Sequence, residues 1–215
     1  MSGPVDALAV RREVERVVVT ERWARDTARW EVMAGQYHPD SVVDVSWIRA
    51  SGPEFVALSR QSFEAGGRGS HVVGPVLVDV DGDRALADTG AVIAGTAHLG
   101  GVPVVLTAYG RIVERLERRA GVWRISELRC VYQFDHLTPV DPGRPPALDP
   151  ARLAGYRQSY AALSYWVEET RGAPAVRHDL PGVDRPGTVD ALYAANAAWL
   201  EQGAGRSAHE EGAPA

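Results

Sequence analysis

The sequence has no lysine and a single cysteine, Cys130, in 215 residues. One cysteine cannot close a disulfide within the chain or build a thiolate metal cluster. That fits a reducing compartment, and the expectation is a cytoplasmic protein. Missing lysine beside abundant arginine and alanine is the signature of a GC-rich genome and carries no function. No uninterrupted apolar run approaches the roughly 20 residues that a membrane helix needs. The start, MSGPVDALAVRREVERVVV, lacks the charged-then-apolar pattern of a secretory leader. A basic excess is missing too. Lys plus Arg number 23 against 28 Asp plus Glu, a net charge of -5, so nothing points to nucleic acid as a partner. HExxH, paired Cys and 2-His-1-carboxylate spacings do not occur on any one element, so no metal site is indicated. Glycine loops for dinucleotides or phosphates and the GxSxG elbow are absent as well. The expectation is a protein without cofactor.

What is present is an ordinary globular composition, 45% hydrophobic and 24% charged, with length enough for one full core and an appendage. Residues 5–36 carry Leu8, Val14, Val17, Val18, Trp23, Trp30 and Met33 at spacings near three and four, which predicts helix, with a break near Asp26-Thr27. Gly35 and the YHPD turn stop it, since Pro39 cannot continue a helix. SVVDVSWI at 41–48 alternates as a strand. Pro53 and Gly66-Gly67 bound a short helix over 53–65. Four segments, 71–80, 84–97, 102–117 and 122–137, are rich in Val, Ile, Leu, Thr and aromatics and are joined by short Gly-bearing turns. They predict consecutive antiparallel hairpins. Five prolines in residues 138–150 make a connecting arm, followed by helices over 151–170 and 189–202 with a loop over 178–188, and a small, polar, unstructured tail over 203–215. Helices first and strands later give an α+β fold, a curved antiparallel sheet wrapped as a cone over the N-terminal helix. A cone of this kind has one mouth and an apolar interior suited to a small molecule. Its open sheet face needs covering, which predicts a homodimer.

Three stretches, RWARDTARWEVMAGQYHPDS, GSHVVGPVLVDVDGDRA and RIVERLERRAGVWRISEL, resemble the SnoaL-like group of the nuclear transport factor 2-like superfamily. The resemblance spans roughly residues 10–137 and leaves the C-terminal third uncovered. Together with the elements above, it divides the chain into a SnoaL-like cone domain over residues 1–137, the arm over 138–150 and a helical extension over 151–202. The superfamily includes polyketide cyclases, ketosteroid isomerases, dehydratases, epoxide hydrolases and binding or assembly modules, so fold alone does not give function. In its dehydratase-like branch an Asp ending the first helical region and a His opening a later strand form the acid/base pair. Position by position, that implies Asp26 and His71. The branch carries a Tyr five residues before the Asp; here that position is Glu21.

If His71 opens a strand lining the cone, its ring points inward. Asp26 then fixes the tautomer through one ring nitrogen and leaves the other to move a proton. The bland alternatives are a histidine bonded to a nearby carbonyl, and an Asp26 that caps a second helix or pairs with Arg22 one turn away. Tyr109 and Tyr132 are candidates to hold a substrate oxygen. Trp30, Trp47 and Trp23 are candidate wall residues, and Asp44 with Ser46 a candidate polar pair on the first strand. His38 is expected as exposed turn chemistry. The C-terminal helices pack on the sheet, meet a second subunit or form a lid.

The resemblance and the residues together imply a lyase, isomerase or cyclase acting without cofactor on a small apolar, oxygen-bearing molecule of polyketide or steroid type. Two alternatives stay open. One is a ligand-binding or dimerising module. The other is an epoxide hydrolase, which needs Asp26, Arg111 and Asp44 to meet around one water.

Overall fold

The computed structural model describes residues 4–171 and 177–210. Helix α1 (Pro4–Asp26) buries Val14 and Val18, one turn apart, and carries Glu21, Arg22 and Ala24 inward on the next turn. Thr27 and Ala28 form the joint to the short α2 (Trp30–Ala34), with Ala28 left-handed at φ 58°. The N-cap of α2 is Arg29, which makes no side-chain cap bond. Asp26 therefore ends α1 without capping α2, and its carboxylate is used elsewhere.

Strand β1 (Tyr37–Val45) and β2 (Ile48–Ser51) form a hairpin, followed by α3 (Gly52–Glu64). The single strand expected over 41–48 is thus two, turned at Ser46-Trp47. The expected YHPD turn is the start of β1. Pro39 is accommodated because pairing with the neighbouring strand is interrupted between Tyr37 and Val42, where a missing N–H breaks no ladder bond. His38 is correspondingly buried, with Nε2 3.0 Å from the Glu117 carbonyl, and is not exposed. A capping box opens α3: the Ser51 hydroxyl accepts from the Glu54 N–H and the Glu54 carboxylate accepts from the Ser51 N–H. Gly52 is obligatory there, since a Cβ would lie 2.7 Å from the Tyr37 ring and 2.4 Å from the Ser41 hydroxyl.

Four long strands follow as antiparallel hairpins: β3 (Arg68–Asp81), β4 (Arg84–Leu99), β5 (Val102–Arg119) and β6 (Val122–Pro139). Parallel pairing of β1 with β6 completes a curved, unclosed sheet of order β2-β1-β6-β5-β4-β3. The α+β class and the cone read from the sequence are what the chain adopts. Edge strand β3 is interrupted between Val73 and Val76, at Gly74-Pro75, a device that suits a proline at a sheet edge.

The helix expected over 151–170 is broken. Asp149 caps α4 (Pro150–Ala154), a 3-10 turn covers Gln158–Tyr160, and α5 runs Ala161–Arg171. The break lies where Arg157 turns aside to pair with Asp184 at 2.6 Å. The Asp135 carboxylate accepts the Ala162 and Leu163 N–H groups at 3.1 and 2.6 Å, so β6 holds the start of α5. Tyr160, Leu163 and Val167 join Val14, Val18, Phe55, Leu106 and Leu128 in one buried cluster. The C-terminal segment completes the core of the cone. Helix α6 (Pro186–Glu210) starts earlier than expected and runs past Gln202 into the stretch expected as an unstructured tail; residues 211–215 lie outside the described residues. It packs Leu192 on Val113 and Val131, covering part of the outer sheet face, while Val72 and Phe134 on that side stay exposed. None of the described helices is long and apolar enough to cross a membrane.

Candidate active site

A cavity of about 130 Å³ lies inside the cone. That is close to the roughly 150 Å³ of a protein cavity that accepts benzene. Its floor is apolar: Leu106, Leu128 and Tyr132, all buried. Trp30 and Trp47 stand in its wall, as expected, with Phe55 and Phe63 from α3. Trp166 and Val167 of α5 close another side. The exposed Arg68, Gly69 and Arg171 mark the rim.

Asp26 and His71 meet at this wall. His71 pairs with Ile93 near the open end of β3, which brings its ring under the C-terminus of α1. Its Nδ1 is 2.7 Å from Asp26 Oδ1, and its backbone N–H donates to Asp26 Oδ2 at 2.6 Å. The imidazole side chain is 5% exposed. On the other side of the ring, Arg25 Nη1 is 3.0 Å from Nε2. A guanidinium can only donate, so Nε2 accepts and the ring proton sits on Nδ1, facing Asp26. Burial pushes the His71 pKa down to about 3, the Arg22 and Arg25 charges push the same way, and the Asp26 bond opposes them. His71 is therefore a neutral imidazole at physiological pH, not a group titrating near neutrality. Burial alone would raise the Asp26 pKa, but the bonds from His71 outweigh it and hold the carboxylate below its ordinary value.

Behind the dyad is a buried set of charges. Arg22 pairs with Glu21 at 2.5 Å, and the Tyr37 hydroxyl donates to Glu21 at 2.8 Å. Arg22 is thus not a surface partner of Asp26. Burial works against the Arg22 charge, yet Glu21 and its neighbours more than offset this and its pKa lies above the ordinary arginine value. Glu114, buried on β5 beside the pair, is pushed up to about 8 by burial and by Glu21. Arg25 goes the other way, to about 10, through burial and the nearby Arg22 charge.

Other expected site residues are placed elsewhere. Tyr132 lines the cavity, its phenol oxygen accepting from the Ser46 N–H at 2.7 Å. Tyr109 does not line it; it stacks on Phe134 at 4.4 Å on the outer face, since β5 turns Leu106, Ala108 and Ile112 inward and the alternate residues outward. Asp44 is turned away from the cavity and pairs with Arg177, and with Arg129 at 3.7 Å. Trp23 is 47% exposed, with Arg29 stacked over it, and is no part of the wall. Arg111 pairs with Asp88, so Asp26, Arg111 and Asp44 do not meet around one water. Of the four arginines of the cavity, Arg22, Arg25, Arg68 and Arg171, the sequence singles out Arg22 alone, and as a surface partner of Asp26. Arg25 had one available signal, its place beside Asp26 at the helix end.

The model of the SnoaL-like domain matches residues 6–129. The chain belongs to the SnoaL-like domain family. Among curated relatives, Pea pathogenicity protein 2 of Fusarium vanettenii is 31% identical over 211 residues, spanning 93% of this chain and 89% of its own length. A second relative from the same fungus, a PEP2-like protein, is 30% identical over 211 residues, again 93% of this chain and 89% of its own. Both alignments extend beyond the SnoaL-like match into the C-terminal helices. Among solved structures, the hexachlorocyclohexane dehydrochlorinase LinA-type3 of Novosphingobium barchaimii superposes with a TM-score of 0.55 at 20% identity, covering 69% of this chain and 100% of its own. At that identity the likeness is one of fold.

Proposed function

We propose that the protein is a lyase or isomerase that moves a proton with a His–Asp pair, without a cofactor, on a small ring-bearing oxygenated molecule. The observation that carries this reading is the pair of hydrogen bonds that His71 donates to the Asp26 carboxylate at the wall of an apolar cavity. In the reaction, His71 Nε2 takes a proton from a substrate carbon. The negative Asp26, already bonded to Nδ1–H, stabilises the imidazolium that forms. The same nitrogen then returns the proton to a leaving group, giving elimination, or to another carbon, giving isomerisation. The Tyr132 phenol oxygen accepts from the Ser46 N–H at the cavity floor, and its hydroxyl is the candidate donor to a substrate oxygen, in exchange for its bond to the Cys130 thiol. The cavity volume favours the small end of the expected substrate class, nearer one ring than a fused ring system. A dehydrochlorinase with the same fold supports elimination as the first chemistry to try.

The test is a panel of single-ring β-hydroxy ketones and ring halides in D2O, followed by ¹H NMR. Elimination or deuterium exchange that drops about 10²–10⁴-fold in His71→Gln is expected. Turnover kept by that variant rules out His71 as the base. A second reading, a ligand-binding module, is favoured by the Arg25 guanidinium on Nε2, which occupies the nitrogen a base needs. Ligand binding with no turnover across the panel would support it.

A further inference from the structure

We infer that the ligand of this cavity is a small ring-bearing anion, whose charged group binds Arg25 and thereby draws it off His71 Nε2. The inference rests on the cavity being the substrate site. It begins from a charge imbalance. Four arginines line the cavity, and Asp26 is the one acid among the lining residues. Both Asp26 oxygens are already engaged by His71. Arg22 is balanced by the buried Glu21. Arg25, Arg68 and Arg171 have no carboxylate partner among the described residues. Arg68 bonds backbone carbonyls and lies over Phe63, and Arg171 bonds Ser62 and lies over Trp47.

Arg25 is the deepest of the three without an acid. A guanidinium has five N–H donors. Among the described residues Arg25 uses one, toward a neutral imidazole, and lies over the Phe55 ring at 5.1 Å. A part-buried cation with no carboxylate in direct contact is costly, and a ligand carboxylate or phenolate relieves the cost while forming a charge-assisted, two-pronged bond. The aromatic wall of Trp30, Trp47, Phe55 and Phe63 takes the ring of the same ligand. Arg68 and Arg171 at the rim draw an anion inward.

The geometry also gives the imbalance a consequence. Arg25 occupies the lone pair a base would use. An anion is a better acceptor for a guanidinium than a neutral imidazole. Its arrival exchanges the Arg25–His71 bond for an Arg25–anion bond and exposes Nε2 beside the bound ring. A neutral molecule of the same shape offers Arg25 a weaker acceptor and displaces it less.

The probes are benzoate and its neutral isostere benzamide, titrated into the full-length protein and read by tryptophan fluorescence and calorimetry. Benzoate binding at least about tenfold tighter than benzamide is expected, the difference a charge-assisted bond supplies. Arg25→Gln removes most of that preference, and Arg25→Lys restores part of it as a point charge. Equal affinities in the wild-type protein overturn the inference without any variant. Benzoate preference unchanged in Arg25→Gln overturns the assignment to Arg25. His71→Gln separates this from the proton-transfer reading: it keeps benzoate binding if the anion site stands, even where turnover was never found. Turnover of neutral substrates with no benzoate binding leaves proton transfer standing and rejects the anion.

Discussion

Both oxygens of the Asp26 carboxylate bind His71, one through the ring Nδ1 at 2.7 Å and one through the backbone N–H at 2.6 Å. A single carboxylate thus fixes the ring tautomer and also pins the start of β3 to the end of α1. Asp26→Asn keeps the shape but places an amide NH2 opposite one of the two donors. We expect kcat/KM of the eventual substrate to fall about 10²–10⁴-fold. The melting temperature falls as well, since a buried donor is left unpaired. Unchanged kcat/KM would show that the pair is only architectural.

The depressed pKa of His71 fixes a pH dependence of stability. The unfolded histidine binds a proton below about 6.5, whereas the folded one resists protonation down to about 3. Between those values the unfolded state binds more protons, so stability declines as pH falls through that window. Glu114, held up near 8 in the folded chain, acts the other way above about 4.5, so urea denaturation at pH 7, 6, 5 and 4 should show the stability of the wild type relative to His71→Gln declining as pH falls. The carboxylates with lowered pKa, such as Asp184 at about 2, act in the same direction at the acid end. The comparison with His71→Gln is what isolates the histidine. A wild type and a His71→Gln variant with parallel curves would reject the neutral, buried imidazole.

Most of the architecture was legible because it depends on local signals. The hairpins at Gly82, Gly100-Gly101 and Gly121 follow from glycines that take positive φ. Asp26 and His71 were legible only through the family likeness, because nothing in the spacing of two residues 45 positions apart brings them together. What failed depends on long-range contacts. Period-two alternation does not say which face of a strand is inside, so Asp44 and Tyr109 were assigned to the cavity though both face away. The helix over 151–170 looked continuous until Arg157 found Asp184, 27 residues later. Arg25 was passed over because an arginine on a helix reads as solvated surface. Its capping of Nε2 exists only in three dimensions.

The Glu21–Arg22 pair is buried, with Glu21 fully covered and Arg22 6% exposed. Removing one partner strands a charge in the core. Glu21→Ala should cost about 3–5 kcal/mol in chemical denaturation. Tyr37→Phe, which removes one hydrogen bond to the same carboxylate, should cost about 1 kcal/mol. A Glu21→Ala loss below that of Tyr37→Phe would mean that Arg22 finds another counter-charge.

The two-residue turn between β5 and β6 puts Ala120 at φ 50° and Gly121 at φ 79°. A left-handed alanine costs about 1–2 kcal/mol relative to a glycine, which has no Cβ to clash. Ala120→Gly should therefore leave function untouched and raise stability by up to about 1 kcal/mol, after the greater entropy of glycine in the unfolded chain. A drop in melting temperature would show that the turn is not strained.

The chemistry of the cavity turns on the state of one imidazole, and ¹⁵N NMR of His71 measures it directly. Between pH 5 and 8 the expected spectrum is a neutral ring with the proton on Nδ1 and Nε2 accepting, with no titration across the range. A His71 that titrates near pH 6.5 would contradict the Arg25 cap, and one that carries its proton on Nε2 would contradict both that cap and the Asp26 hydrogen bond.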